Sequence, residues 1–288
     1  MKNETQATIG LDKLVFSCTS TVNDNFDEAT KYNPISTLAP QLTFGNTTLT
    51  HATDLSHRYK YSYTVNFNNN KMGRVDFDQF GYSWQDRIRF SVDNTVFYNN
   101  TQSYLSKVLE DLNLKIENYT NIDIAIDSYN FNSEQVLRRN LKNKDNKVRI
   151  FHEIIKDRTK TIDNITYFNK GSLNNPFKVR SVSIKDKKEI KEYFVYDKLE
   201  EIEFSEKKYI LEYHKIKNQN LKNIYRGEIR CKYDAIKYYE NEIIKKLITL
   251  DDLLDKDFLY SMFCYHLKTI ISIKDCNKKE IQLFPCPL

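Results

Sequence analysis

Tyr196 is followed at once by Asp197 and Lys198, with Glu200 and Glu201 just beyond. Two further charged segments stand apart from it: Asp123-Ile124-Ala125-Ile126-Asp127 upstream and Arg226-Gly227-Glu228-Ile229-Arg230 downstream. Together they supply a nucleophile, cations and carboxylates of the kind that bind hard divalent metals. That set suits cutting a phosphodiester bond and holding one DNA end. A phenol is a weak nucleophile near neutral pH because its ordinary pKa is about 10. A metal or Lys198 beside it would stabilise the phenolate, and metal shared with the scissile phosphate would offset charge developing in the transition state. The covalent phosphotyrosine would keep the broken bond's energy for rejoining.

Strand periodicity orders these groups, because residues two apart share a face. Asp123, Ala125 and Asp127 point one way and Ile122, Ile124 and Ile126 the other. Crowded carboxylates repel, so such a face favours bound Mg²⁺ or Mn²⁺; the plainer reading is a pair of solvated acids. Arg226, Glu228 and Arg230 likewise share a face. Glu228 is then a third metal ligand and the arginines hold phosphate oxygens, or the three form a cross-strand ladder of ion pairs. Phe194, Tyr196 and Lys198 also fall on one strand face, which places the lysine beside the tyrosine. Tyr193, three residues before Tyr196, is a competing nucleophile.

Other chemistries find no support. His51, His57, His152, His214 and His266 are isolated, without His-x-His or HExxH spacing. No GxxxxGK[ST], GxGxxG or GxSxG segment occurs. The five cysteines form no CxxC pair, which argues against a thiolate zinc site and for free, partly buried thiols in a reducing cytoplasm. The N-terminus is polar, without a secretory pattern, and no run of about 18 apolar residues suggests a membrane span. The expectation is a soluble cytoplasmic protein. A net charge of +5 permits nucleic-acid binding without demanding it.

The elements that must position these groups follow from periodicity and breakers. Residues 8–18 read as a first strand and 19–57 as a long loop containing short strands. Alternation over 58–98 predicts antiparallel strands, with a hairpin turn at Asn68-Asn69-Asn70. A helix capped by Thr101 should follow, then a strand at 121–127 and a helix over 133–140 capped by Ser133. Residues 148–157 fit strand or helix, and 161–172 a strand and turn. The tyrosine segment, 209–217 and 225–231 read as strands. From Asp234 a helix should present Ile236, Tyr239, Ile243 and Leu247 on one face, with another over 251–271. The fold class expected is α+β, with a central, mainly antiparallel sheet flanked by helices and with C-terminal helices. The division expected is a catalytic domain over 1–240, its motif core about 85–240, and a helical extension over 241–288.

In order, these segments resemble the replication initiation factor family of rolling-circle plasmids and filamentous phages, the Rep_trans type. The resemblance rests on the acidic strand Asp123–Asp127, the Gly171-Ser172 turn, Tyr196-Asp197-Lys198 with Glu201, and Arg226-Gly227-Glu228-Ile229-Arg230. It implies a nickase-like fold and a single-strand nick at a replication origin by a tyrosine, left joined to the 5′ phosphate, with a divalent metal, Mg²⁺ or Mn²⁺. By position Tyr196 is the nucleophile, assisted by Lys198, and Asp123, Asp127, Glu201 and Glu228 are the acids from which metal ligands come. Arg226 and Arg230, with Lys178 and Arg180 from the lysine-rich stretch after the Gly-Ser turn, would contact DNA. Origin DNA, double- and single-stranded, is the implied partner; a host helicase and a second copy of the chain are further candidates. The alternative function is a non-catalytic origin- or DNA-binding protein of a mobile element.

Overall fold

The computed structural model describes residues 7–20, 29–31, 41–52, 58–79, 87–155, 164–168, 180–188, 190–218 and 221–285. They fall into two compact units, one formed by Met1–Leu11 with Asp123–Leu288 and the other by Asp12–Ile122. The strands, numbered along the chain, are β1 (Ala7–Ser20), β2 (Leu42–Phe44), β3 (Thr47–His51), β4 (Tyr59–Phe67), β5 (Asn70–Gln79), β6 (Ile88–Val92), β7 (Leu114–Ser128), β8 (Lys147–Ile150), β9 (Glu153–Ile155), β10 (Ile165–Phe168), β11 (Ser181–Lys185), β12 (Lys191–Asp197), β13 (Tyr225–Lys232) and β14 (Ile271–Lys274). β1 and β7 each contribute residues to both units. The architecture is α+β, with antiparallel sheet and flanking helices.

In the Asp12–Ile122 unit the strand order is β7-β1-β6-β5-β4-β3-β2. The expected hairpin turn forms at Asn68 and Asn69, which adopt φ of 46° and 65° between β4 and β5. Asparagine tolerates that left-handed pair, which matches the twist of the flanking strands. Phe16 stacks on Phe90 and meets Tyr119 edge-on, so the aromatic alternation makes a core. Thr101 precedes a short 3-10 helix but its hydroxyl bonds back to Val96 O and caps nothing.

In the other unit the order is β10-β11-β12-β13-β7-β1, and a small second sheet runs β14-β8-β9. The helix Ser133–Lys142 packs on β11, β12 and β13, and the helix Lys256–Ile270 packs on β12, β13 and β14. Asn132 caps the first of these, its side chain accepting from the Gln135 backbone, one residue ahead of the expected Ser133. Residues 209–217, expected as a strand, belong to the helix Lys208–Lys217, because the buried positions Ile210 and His214 are four apart. After Tyr238 the chain widens into a π-helix, Tyr239–Ile244, and leaves Ile243 and Leu247 exposed, so the expected apolar face stops at Tyr239. The single helix expected over 251–271 is two, because Asp255 turns out of the first, Leu250–Leu254, and caps the second. Ile271 then begins β14, a strand not expected from the sequence, which pairs with β8. Of the stretch 148–157, residues 148–155 form the hairpin of β8 and β9, and 156 and 157 lie outside the described residues.

Candidate nicking site

Strand β12 separates its two tyrosines. Tyr193 and Val195 face the helix side, where Tyr193 meets Phe263 edge-on at 6.4 Å. Gly227 on β13 makes room for it: a Cβ there would stand 3.2 Å from the Tyr193 Oη. That hydroxyl is fully buried with no hydrogen-bond partner among the described residues, and burial pushes its pKa well above the ordinary phenol value. Phe194 and Tyr196 face the other way, their rings 5.0 Å apart.

On that second face β13 lays Arg226 beside Tyr196, Glu228 beside Phe194 and Arg230 beside Glu192. The Tyr196 hydroxyl donates to Glu228 Oε2 at 3.0 Å. Arg230 Nε donates to Glu228 Oε1 at 2.7 Å and lies 3.6 Å from Asp123 Oδ2, while its Nη1 lies 3.7 Å from Glu192 Oε2. Its guanidinium also covers the Phe194 ring at 5.4 Å. Burial opposes charge on Arg230, but Glu228, then Asp123 and Glu192, outweigh this and hold it protonated above its ordinary range. Arg230 is the exposed member, its side chain 43% accessible over a Glu228 side chain that is 1% accessible.

Strand β7 brings the two aspartates to the same wall with different partners. Asp127 accepts two hydrogen bonds of 2.7 Å from Arg226 Nε and Nη2. His214 Nε2 lies 3.3 Å from Asp127 Oδ2, and its Nδ1 meets the Tyr129 hydroxyl at 3.1 Å. Burial would raise the Asp127 pKa; the charge and hydrogen bonds of Arg226, with His214, overcome it and set the carboxyl well below the usual range. Arg226 is wholly buried in this fork. Such a guanidinium, paired on both arms, is committed to the fold.

Lys198 is in a helix, not on the strand. Asp197 ends β12 and its side chain accepts from the Glu200 backbone, capping the helix Lys198–Ser205. The lysine still reaches the tyrosine: its Nζ stands 5.7 Å from the Tyr196 ring centre, and 2.6 Å from Glu201 Oε2 one helical turn on. Arg180 is more than half exposed and donates to Glu134. Lys178 and the Gly171-Ser172 turn lie outside the described residues.

The acids named from the sequence therefore divide. Asp127 and Glu201 are taken up by Arg226 and Lys198; Asp123 and Glu228 converge on Arg230. Among the described residues no group of three His, Cys, Asp or Glu side chains is arranged to hold a metal ion. Mg²⁺ commonly uses only one or two carboxylates plus substrate phosphates, and Asp123 and Glu228, which both face Arg230, are the two acids that could supply them. Nothing in the sequence pointed to Glu192, which accepts from the Ser183 hydroxyl and faces Arg230, or to His214, which sits in the helix Lys208–Lys217.

No helix among the described residues is long and apolar enough to cross a membrane. No protein-family model matches the chain, and no curated protein matches it. Among solved structures it is similar to a rolling circle replication initiator protein from Geobacillus stearothermophilus, at a TM-score of 0.49 and 14% identity, over 98% of this chain and 92% of that one.

Proposed function

We propose that this chain is a replication initiator of the rolling-circle type, which binds origin DNA and nicks one strand through Tyr196. The single observation that carries this reading is the hydrogen bond from the Tyr196 phenol to the buried Glu228 carboxylate. A phenol needs a base within hydrogen-bond reach of its proton, and Glu228 is one. The Tyr196-Asp197-Lys198 and Arg226-Gly227-Glu228 segments that resemble the family are the ones that make this contact.

In the proposed step the Tyr196 oxygen attacks the phosphorus and Glu228 accepts the phenol proton. The P–O3′ bond breaks, and the departing 3′ oxygen takes up a proton to leave as a hydroxyl. The product is a 5′-phosphotyrosine link, and reversal rejoins the strand. Arg230 is placed to exchange Glu228 for a phosphate oxygen, since a guanidinium forks onto either anion. Lys198 adds positive potential beside the ring. A divalent cation, Mg²⁺ or Mn²⁺, would be held by Asp123 and Glu228 and would supply charge neutralisation at the transferring phosphate. Asp127 and Arg226 serve the fold, and Tyr193, whose hydroxyl is buried on the opposite face without a hydrogen-bond partner among the described residues, is not the nucleophile.

The second reading, a non-catalytic origin-binding protein, is favoured by one observation: Asp127, Glu201 and Glu228 each already face a cation within the protein. Incubation with a supercoiled plasmid bearing the chain's own origin separates the two. Relaxed, protein-linked DNA that vanishes on Tyr196→Phe is the expected result. Retention of relaxation by that variant, or binding without any relaxation by the unaltered chain, refutes the nicking assignment.

A further inference from the structure

The small sheet β14-β8-β9 has an apolar side and a basic side. Val148, Ile150, Ile271 and Ile273 are buried, so the alternate positions Lys147, Arg149, Ser272 and Lys274 turn outward. The register sets Lys147 directly opposite Lys274, and Arg149 opposite Ser272 and Ile154. Lys268, near the end of the helix Lys256–Ile270, completes a groove of about 400 Å³ whose one acidic lining residue is Glu280. Among the described residues no carboxylate forms an ion pair with Lys147, Lys268 or Lys274, although Glu280 stands opposite Lys274 in an isolated antiparallel bridge, and the Arg149 side chain bonds only to the Lys268 carbonyl.

Two lysines facing each other across a strand pair repel, which weakens the sheet. A face built this way gains when a polyanion lies along it. Cations at successive outward positions on adjacent strands suit a backbone of repeating phosphates better than a single small anion. Ile154, half exposed on the edge strand β9, offers an apolar contact for sugar or base.

We infer that this groove is a nucleic-acid phosphate-binding surface, a second DNA contact built by the C-terminal strand and separate from the Tyr196 wall. It rests on the DNA-binding half of the proposed function and not on the tyrosine chemistry. Its chemistry is sequence-independent: phosphate neutralisation that anchors the duplex or displaced strand while another surface reads the origin.

The test compares the full chain with Lys147→Glu/Lys274→Glu and with the milder Lys147→Gln/Lys274→Gln. Binding to a random-sequence 20-nucleotide strand and duplex is followed by fluorescence anisotropy at several salt concentrations. Affinity at low salt should fall about tenfold or more for the charge reversal, and the slope of log K against log salt should lose roughly one to two units in both variants. Unchanged affinity and slope in the glutamine variant, folded by circular dichroism, overturn the proposal. Sedimentation with phosphatidylglycerol vesicles is the second arm: variants that lose vesicle binding but keep DNA affinity would make this a lipid-facing surface and overturn it as well. Covalent adduct formation is scored separately, so failure of the nicking assignment leaves this result readable.

Discussion

Asp127→Asn isolates the structural side of the acidic wall. Asp127 accepts both arms of a guanidinium that is wholly buried, at 2.7 Å each. Its amide replacement is nearly isosteric, but it cannot neutralise Arg226 or accept two charge-assisted bonds. Breaking a buried pair by removing one partner costs about 3–5 kcal/mol, chiefly because the remaining charge stays buried. At roughly 2–4 °C per kcal/mol for a chain of this size, the melting temperature should drop by roughly 6–20 °C. The pH dependence follows from the depressed Asp127 pKa. A carboxylate held lower in the folded state contributes its full stabilisation above the unfolded value, about 3.9, and loses it as pH falls through the folded one. The gap between the two proteins should thus be constant from pH 8 to about 4.5 and narrow only below about 4. Urea denaturation across this range measures it. Replacing both partners by apolar residues, Asp127→Leu with Arg226→Met, should recover much of the loss. Asp127→Asn that is as stable as the unaltered chain, yet fails to nick, would show that Asp127 serves the reaction and would refute this assignment.

Glu228→Gln keeps the size of the side chain next to Tyr196 but removes the base, so nicking should slow by about 10²–10⁴-fold; a rate within threefold of the unaltered chain in a single-turnover oligonucleotide assay contradicts the role. Tyr193→Phe deletes a buried hydroxyl with no described partner. It should leave adduct formation intact and stability equal or higher by about 1 kcal/mol, read by denaturant midpoint. His266 is buried, and that burial, with Lys191 nearby, pushes its pKa down to about 3. The unfolded chain takes up this proton near pH 6.5 and the folded chain does not, so stability should fall by about 1.4 kcal/mol per unit as pH drops below about 6.5. His266→Phe should flatten that limb; an unchanged slope rules the histidine out as its source.

The strands that carry the site were legible because each mixes polar alternation with β-branched residues, as in 121–127 and 225–231. The hairpin at Asn68-Asn69 was legible for a local reason too, since asparagine accepts positive φ. What failed was longer in range. Tyr209–Lys217 looks like a strand until Ile210 and His214 are seen to be buried four residues apart. Lys198 was placed beside Tyr196 for the wrong reason, by strand alternation, whereas a capped helix brings it there. Asp123 and Asp127 share a face as expected, yet nothing local tells that Arg226 takes one and Arg230 approaches the other. Partner choice among buried charges depends on the register of β12, β13 and β7, and register is set by the whole sheet.

In the proposed reaction the phenol of Tyr196, with Glu228 as its base, takes the 5′ phosphate. Incubating the full chain with a single-stranded oligonucleotide of its own origin, in Mg²⁺ or Mn²⁺, and mapping the linked peptide by mass spectrometry tests this directly. One modified residue, Tyr196, and a free 3′ hydroxyl on the released strand are expected. A nucleotide on Tyr193 or on any other residue, or cleavage with no covalent product, would contradict it.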